Sequence, residues 1–238
     1  MEHRIRNLSG YNYIETTYEY IKDKTIIDSI ISKAANTSNI ANPHGPDGRY
    51  RQKDVRFNKT LGGYLAENAL LNYMSMRARR FNIAFKVIDS TFTQEADLSK
   101  LGFNQIDIDL LVKDEVKTIE VRSSYSYKTT FNRLIGVPLI HGKGAFSIIG
   151  WYTSKNKQQE VRKDYYVFAI HRYYPSETHE NVLNKVVLFI AGAANKDTLE
   201  NKGYNDSLKQ EGAKFRIINP LNSVPDPVHV IDEILGVR

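Results

Sequence analysis

The chain has 238 residues, 41% of them hydrophobic and 25% charged, which is ordinary for a globular protein and enough to bury a substantial core. It contains no cysteine, which excludes disulfides and thiolate metal sites and leaves carboxylates, histidines, carbonyls and water to hold a hard cation such as magnesium or manganese. A formal net charge of +6 suits an anionic partner, and no apolar run approaches the roughly 18 residues of a bilayer span, so a soluble, cytoplasmic protein without a membrane partner is expected.

Met1–Arg6 lacks the apolar segment of a signal peptide. From Tyr13 to about Ala35, Ile14, Tyr18, Ile21, Ile26, Ile27, Ile30 and Ile31 approximate helical spacing and predict a helix. The turn-rich Asn42–Arg49 stretch predicts a loop, continuing into a basic segment with Arg49, Arg51, Lys53, Arg56 and Lys59. A second helix is predicted over about Thr60–Arg80, with Leu61, Leu65, Ala69, Tyr73 and Met76 as its apolar stripe and Arg77, Arg79 and Arg80 at its C-terminal end. Ile83–Ile88 reads as a strand.

The period then changes. Ile106–Val112 and Lys117–Arg122 read as two strands joined by a turn around Lys113-Asp114-Glu115, a hairpin pattern. Further strands are predicted at Phe146–Tyr152, Tyr165–Arg172 and Val186–Ala191, then a short helix from Lys196 to about Gly203 and a last helical turn near Val230–Leu235. Pro220, Pro225 and Pro227 predict irregular chain in between. This mixture implies an α/β (α+β) fold with a central mixed sheet flanked by helices, read as one domain over 1–238.

The hairpin carries the chemistry. Positions two apart on a strand share a face, so Asp107 and Asp109 point the same way, and a tight turn can bring Asp109 beside Glu120. Opposed carboxylates repel, and a divalent cation between them would remove that cost. Leu110-Leu111-Val112 and Thr118-Ile119 would anchor the two acids on rigid strands. Asp107 is an alternative to Asp109, and Arg122 reads equally as a salt-bridge partner for one of the acids. His141 is a loop histidine, and no arrangement of the HNH kind accompanies it.

A glutamate-bearing helix, an acid opening a hydrophobic strand, a turn, and a strand ending in Glu-x-Lys form the pattern of the PD-(D/E)XK nuclease superfamily. Residues 60–125 resemble it: Glu67 stands for the helix acid, Asp109 for the strand acid and Glu120-Val121-Arg122 for the final motif. The resemblance implies a restriction-endonuclease-like catalytic core over about 58–172. It further implies that Asp109 and Glu120 bind Mg2+, with Mn2+ as a substitute, helped by the Val121 carbonyl, and that Glu67 is a further ligand or orients water. Arginine at 122 departs from the usual lysine; it keeps the positive charge but cannot act as a base. Lys128 lies near enough in sequence to substitute.

Basic and hydroxyl groups should then surround the acids to hold phosphates. The candidates are Arg49, Arg51, Lys53 and Arg56 ahead of the Glu67 helix, Ser123, Ser124, Tyr125 and Lys128 beyond Arg122, and Lys155 and Lys157 in the polar Ser154–Gln159 turn. The fifteen tyrosines can stack on bases but also suit half-buried sheet faces. Together these features lead to the expectation of a Type II restriction-type endonuclease on double-stranded DNA, a homodimer by resemblance. The alternatives are a junction resolvase or repair nuclease of the same superfamily, or a non-catalytic DNA-binding module with the same fold.

Overall fold

A computed structural model describes residues 1–40, 50–90, 108–127, 134, 146–154, 161–208 and 213–237. The chain opens with a hairpin, β1 (Glu2–Leu8) and β2 (Tyr11–Glu19), followed by helices α1 (Tyr20–Ile40) and α2 (Lys53–Arg80). Then come β3 (Phe85–Ser90), β4 (Ile108–Val112), β5 (Glu115–Tyr125), β6 (Ile148–Ser154) and β7 (Tyr165–His171). A 3-10 turn (Pro175–Glu177) leads into α3 (Thr178–Val182), β8 (Lys185–Asn195) and α4 (Lys196–Lys202). The chain ends with β9 (Tyr204–Asp206), β10 (Ala213–Ile218) and α5 (Pro227–Ile234).

Seven strands form one mixed sheet in the order β1-β2-β8-β7-β5-β4-β3, in which β5 and β7 run parallel and the other neighbours antiparallel. A second sheet, β6-β10-β9, is antiparallel. One face of the large sheet packs on the helices: Ile27 and Ile30 of α1, Leu61, Leu65, Tyr73 and Met74 of α2, and Val230 and Ile231 of α5 meet Ile14, Ile108, Ile119, Val167 and Leu188. The other face packs on the small sheet and its surroundings, with Tyr166, Phe168 and Ile170 of β7 against Ile148, Leu199 and Ile218. Strand β7 therefore lies between two cores, and all seven of its residues, YYVFAIH, are buried. A strand covered on both faces needs no polar alternation, which is why this one reads as a near-continuous apolar run.

Two expectations are corrected. Residues 13–19 are strand: Ser9 (φ 52°) and Gly10 (φ 87°) turn the chain between β1 and β2, and Ile14, Thr16 and Tyr18 alternate into the core. β-branched and aromatic residues suit that pleat, whereas Ile21, expected on an apolar helical stripe, is 95% exposed. Helix α2 begins at Lys53, so Lys53, Arg56 and Lys59 belong to its first turns, with Asp54 set favourably against the N-terminal dipole. Strands β9 and β10 had no counterpart among the predicted elements; β9 is only three residues long, and β10 ends two residues before Pro220, in a stretch read as irregular.

Behind the end of β5, a buried polar group ties three elements together. His171 is fully buried; its Nε2 lies 3.1 Å from the Gly62 carbonyl, its Nδ1 3.0 Å from the Tyr173 hydroxyl, and its ring stacks on Tyr125 at 4.8 Å. Since a carbonyl only accepts, Nε2–H donates to Gly62 and Nδ1 accepts from Tyr173, which makes the ring neutral. A Cβ at position 62 would collide with the Tyr125 hydroxyl, so glycine is what lets α2 approach β5 this closely. Burial pushes the His171 pKa down to about 4 from 6.5. Because the folded pKa is depressed, the unfolded chain takes up the extra proton, and this contribution to stability is full above pH 6.5 and lost as pH falls towards 4. It amounts to roughly 3 kcal/mol. Urea unfolding at pH 7 and pH 4.5 should show that loss in the wild type and a clearly smaller one in His171→Gln; equal losses in both would refute the assignment.

Candidate active site on the β4–β5 hairpin

The hairpin turns at Lys113 and Asp114, both with positive φ (50° and 68°), as a two-residue primed turn requires. That turn pairs Val112 with Glu115 and so sets Asp109 opposite Thr118 and Ile108 opposite Ile119. Ile108, Leu110, Val112 and Ile119 enter the helical-side core, with Val121 packed against it. By alternation, Asp109, Thr118, Glu120, Arg122 and Ser124 take the opposite face. Asp109 and Glu120 thus share a face, as expected, but stand diagonally and not directly opposite, roughly 7–8 Å apart in backbone position. The two-residue turn imposes that offset.

The neighbouring strand completes the surface. Across the parallel β5–β7 ladder, Glu120 registers with Tyr166 and Arg122 with Phe168. The Arg122 Nη2 meets Glu120 Oε1 at 2.5 Å, with the two side chains 19% and 13% exposed. The same guanidinium lies 5.5 Å from the ring centre of Tyr152 on β6. This is the salt-bridge role that the sequence left open for Arg122. Thr118, facing Asp109, is held by Asp164, whose Oδ2 accepts from the Thr118 amide at 2.8 Å and hydroxyl at 2.9 Å. Sequence reasoning missed both Asp164 and Tyr152, since each comes from far along the chain, Tyr152 on β6 and Asp164 just before β7, and neither belongs to a local pattern with the hairpin.

Glu67 falls elsewhere. It is 4% exposed in α2, on the helical side of the sheet, and close enough to Lys33 of α1 to offset part of the burial that lowers that lysine's pKa. The structure does not bring it onto the face shared by Asp109 and Glu120, because α2 turns its apolar residues to the Ile119 and Val121 side. Val121 follows Glu120 on β5, its side chain packed against the helical-side core and its backbone registered on Val167 of β7.

The proposed DNA contacts separate similarly. Ser123 and Ser124 are half-buried and paired with Ala169 and Ile170 inside the sheet, so they continue the strand and form no loop. Tyr125 is corrected as a phosphate contact: its hydroxyl donates to the Asn58 carbonyl at 3.1 Å and accepts from Thr178 at 3.2 Å, beneath α2. Burial raises its pKa to about 12. Arg51 and Arg56 are half-buried and Lys53 is exposed. They flank the start of α2, which meets α3 through Asn58, whose side-chain oxygen accepts from the His179 amide at 3.1 Å. These cations therefore stand at the end of the sheet towards which β5 runs. Arg49, Lys128, Lys155 and Lys157, like Asp107 and His141, lie outside the described residues.

Among the described residues, no three side chains of His, Asp or Glu gather closely enough to form a ready metal cage. Magnesium nevertheless needs only one or two carboxylates, with waters and substrate phosphates completing its shell. Asp109 and Glu120 provide two on one face, and Asp109 Oδ1, though its residue makes other contacts, is a buried acceptor that receives no hydrogen bond. The donor chemistry fits a hard cation. No helix among the described residues is long and apolar enough to cross a membrane.

No family model and no solved structure matches this chain. An uncharacterized protein of Methanocaldococcus jannaschii is similar to it, 24% identical over 235 residues, a match that covers 88% of this chain and 82% of that protein.

Proposed function

We propose that the protein is a magnesium-dependent endonuclease that hydrolyses phosphodiester bonds of double-stranded DNA, in the manner of a Type II restriction enzyme. The observation that supports this most is the shared face of the β4–β5 hairpin, where Asp109, Glu120 and Arg122 stand on one side of a mixed sheet and Arg122 pairs with Glu120. In this reading Asp109 and Glu120 hold the cation, which when bound polarises the phosphate and eases deprotonation of the attacking water. Arg122 stabilises the charge that develops on the phosphoryl oxygens; it cannot serve as a base, so the proton leaves to solvent or to another group. Arg51, Lys53 and Arg56 supply the sequence-independent attraction to the duplex. Cutting both strands calls for two copies of the site, and a homodimer provides them.

Supercoiled plasmid incubated with Mg2+ should give discrete fragments, with none in the presence of a chelator or with Asp109→Ala. Cleavage by Asp109→Ala at the wild-type rate would sink the assignment of the site, and cutting confined to branched DNA would move the protein to the resolvase class. The ion pair on Glu120 favours a second reading, a DNA-binding module in which Arg122 permanently neutralises the acid. It predicts no cleavage with any divalent metal and a DNA affinity that Asp109→Ala leaves unchanged.

A further inference from the structure

We infer that Arg122 is the resident counter-ion of the metal site: it keeps Glu120 charge-balanced until a divalent cation takes its place and frees the guanidinium for a phosphate oxygen. This rests on the nuclease reading above and adds to it a coupling between cation and substrate. Residues 120 and 122 lie two apart on β5 and so share a face, and Arg122 Nη2 already meets Glu120 Oε1 at 2.5 Å. With 13% and 19% of the two side chains exposed, water screens this pair only partly. A cation that binds Glu120 therefore competes with an established partner for the same negative charge.

Once displaced, the guanidinium has somewhere to go. The Tyr152 ring, 5.5 Å away, can keep it on the same face by cation–π attraction, and its register partner Phe168 carries no charge to recapture it. Among the described residues, the other acids that strand register or hydrogen bonding sets on this face are Asp109, diagonal to Glu120, Asp89, registered opposite Asp109 on β3, and Asp164, which is engaged by Thr118. A planar guanidinium released beside a cation is well suited to bind two phosphate oxygens at once. The cation alone then binds weakly because it breaks the Glu120 pair. A cation together with a phosphodiester binds more strongly, because Arg122 exchanges one anion for another. By linkage each strengthens the other, and an empty site holds little metal away from DNA.

The test is Mn2+ titration by calorimetry of the wild type, Arg122→Met and Glu120→Gln, without DNA. Arg122→Met should bind Mn2+ roughly tenfold more tightly than the wild type or better, and Glu120→Gln should lose most of that binding. Equal or weaker binding by Arg122→Met overturns the counter-ion role while leaving a metal site in place. Binding by none of the three proteins removes the metal reading and this inference with it. Should Arg122→Met fail to fold, Arg122→Lys decides: a lysine lacks the planar fork, so its Mn2+ affinity should still exceed that of the wild type, and an affinity equal to or below it overturns the role.

Discussion

Glu120→Gln should reduce magnesium-dependent cleavage of duplex DNA by at least about a thousandfold, near 4 kcal/mol of barrier, while leaving the protein folded. The substitution keeps the shape of the side chain and an oxygen acceptor for Arg122 Nη2, which now stands 2.5 Å from Glu120 Oε1. The local contact therefore survives as a hydrogen bond between a charged donor and a neutral amide. What disappears is the negative charge that would hold a cation on this face. A neutral amide oxygen is a much poorer ligand for magnesium, and Asp109 would be left as the remaining acid of the pair. Fragment yield over time, measured beside a circular-dichroism melt, separates the two effects. A rate within tenfold of the wild type would mean that Glu120 serves only as the salt-bridge partner of Arg122.

The second large effect concerns stability. Arg77 near the end of α2 and Asp232 in α5 form a fork: Nη2 reaches Oδ2 at 2.5 Å and Oδ1 at 2.6 Å, and Nε reaches Oδ1 at 3.0 Å. The two side chains are only 11% and 5% exposed. Asp232→Ala should therefore cost about 3–5 kcal/mol, because a guanidinium is left in the interior without its anion. The double variant Arg77→Met with Asp232→Leu should recover most of that loss, since two apolar groups of similar bulk need no solvation. Denaturant midpoints of both proteins decide the matter. A loss below 1 kcal/mol in Asp232→Ala would show that water reaches Arg77 easily enough to replace the carboxylate.

The central strands were legible because their causes are local. Ile108, Leu110 and Val112 alternate with Asp109 and Leu111, and the Lys113–Asp114 turn follows at once, so the hairpin and its acid-bearing face could be read from a short window. Strand β7 was legible for the opposite reason, as an unbroken apolar run buried on both sides. The N-terminal hairpin was not, because Tyr13, Ile14 and Tyr18 also fit a helical spacing that continues into α1. Only the Ser9-Gly10 turn marked the difference. The diagonal placement of Asp109 and Glu120 depends on the one-residue accounting of a turn, and the placement of Glu67 depends on which face α2 covers. Tyr152 and Asp164 approach the hairpin through tertiary pairing, which no local pattern announces.

The parallel pairing of β5 with β7 also has a consequence in time. Glu120 and its register partner Tyr166 are brought together across a long stretch of chain, and β7 is held on its other side by β8, which comes later still. Contacts between residues so distant in sequence form slowly, after the loop-closure entropy has been overcome. A nascent chain that has emerged only through Tyr125 carries Asp109, Glu120 and Arg122 but not the strand that gives β5 its fixed place in the sheet. The order of synthesis thus delays assembly of the site until most of the sheet exists, and a truncated or half-made copy would lack the rigid face on which the acids stand.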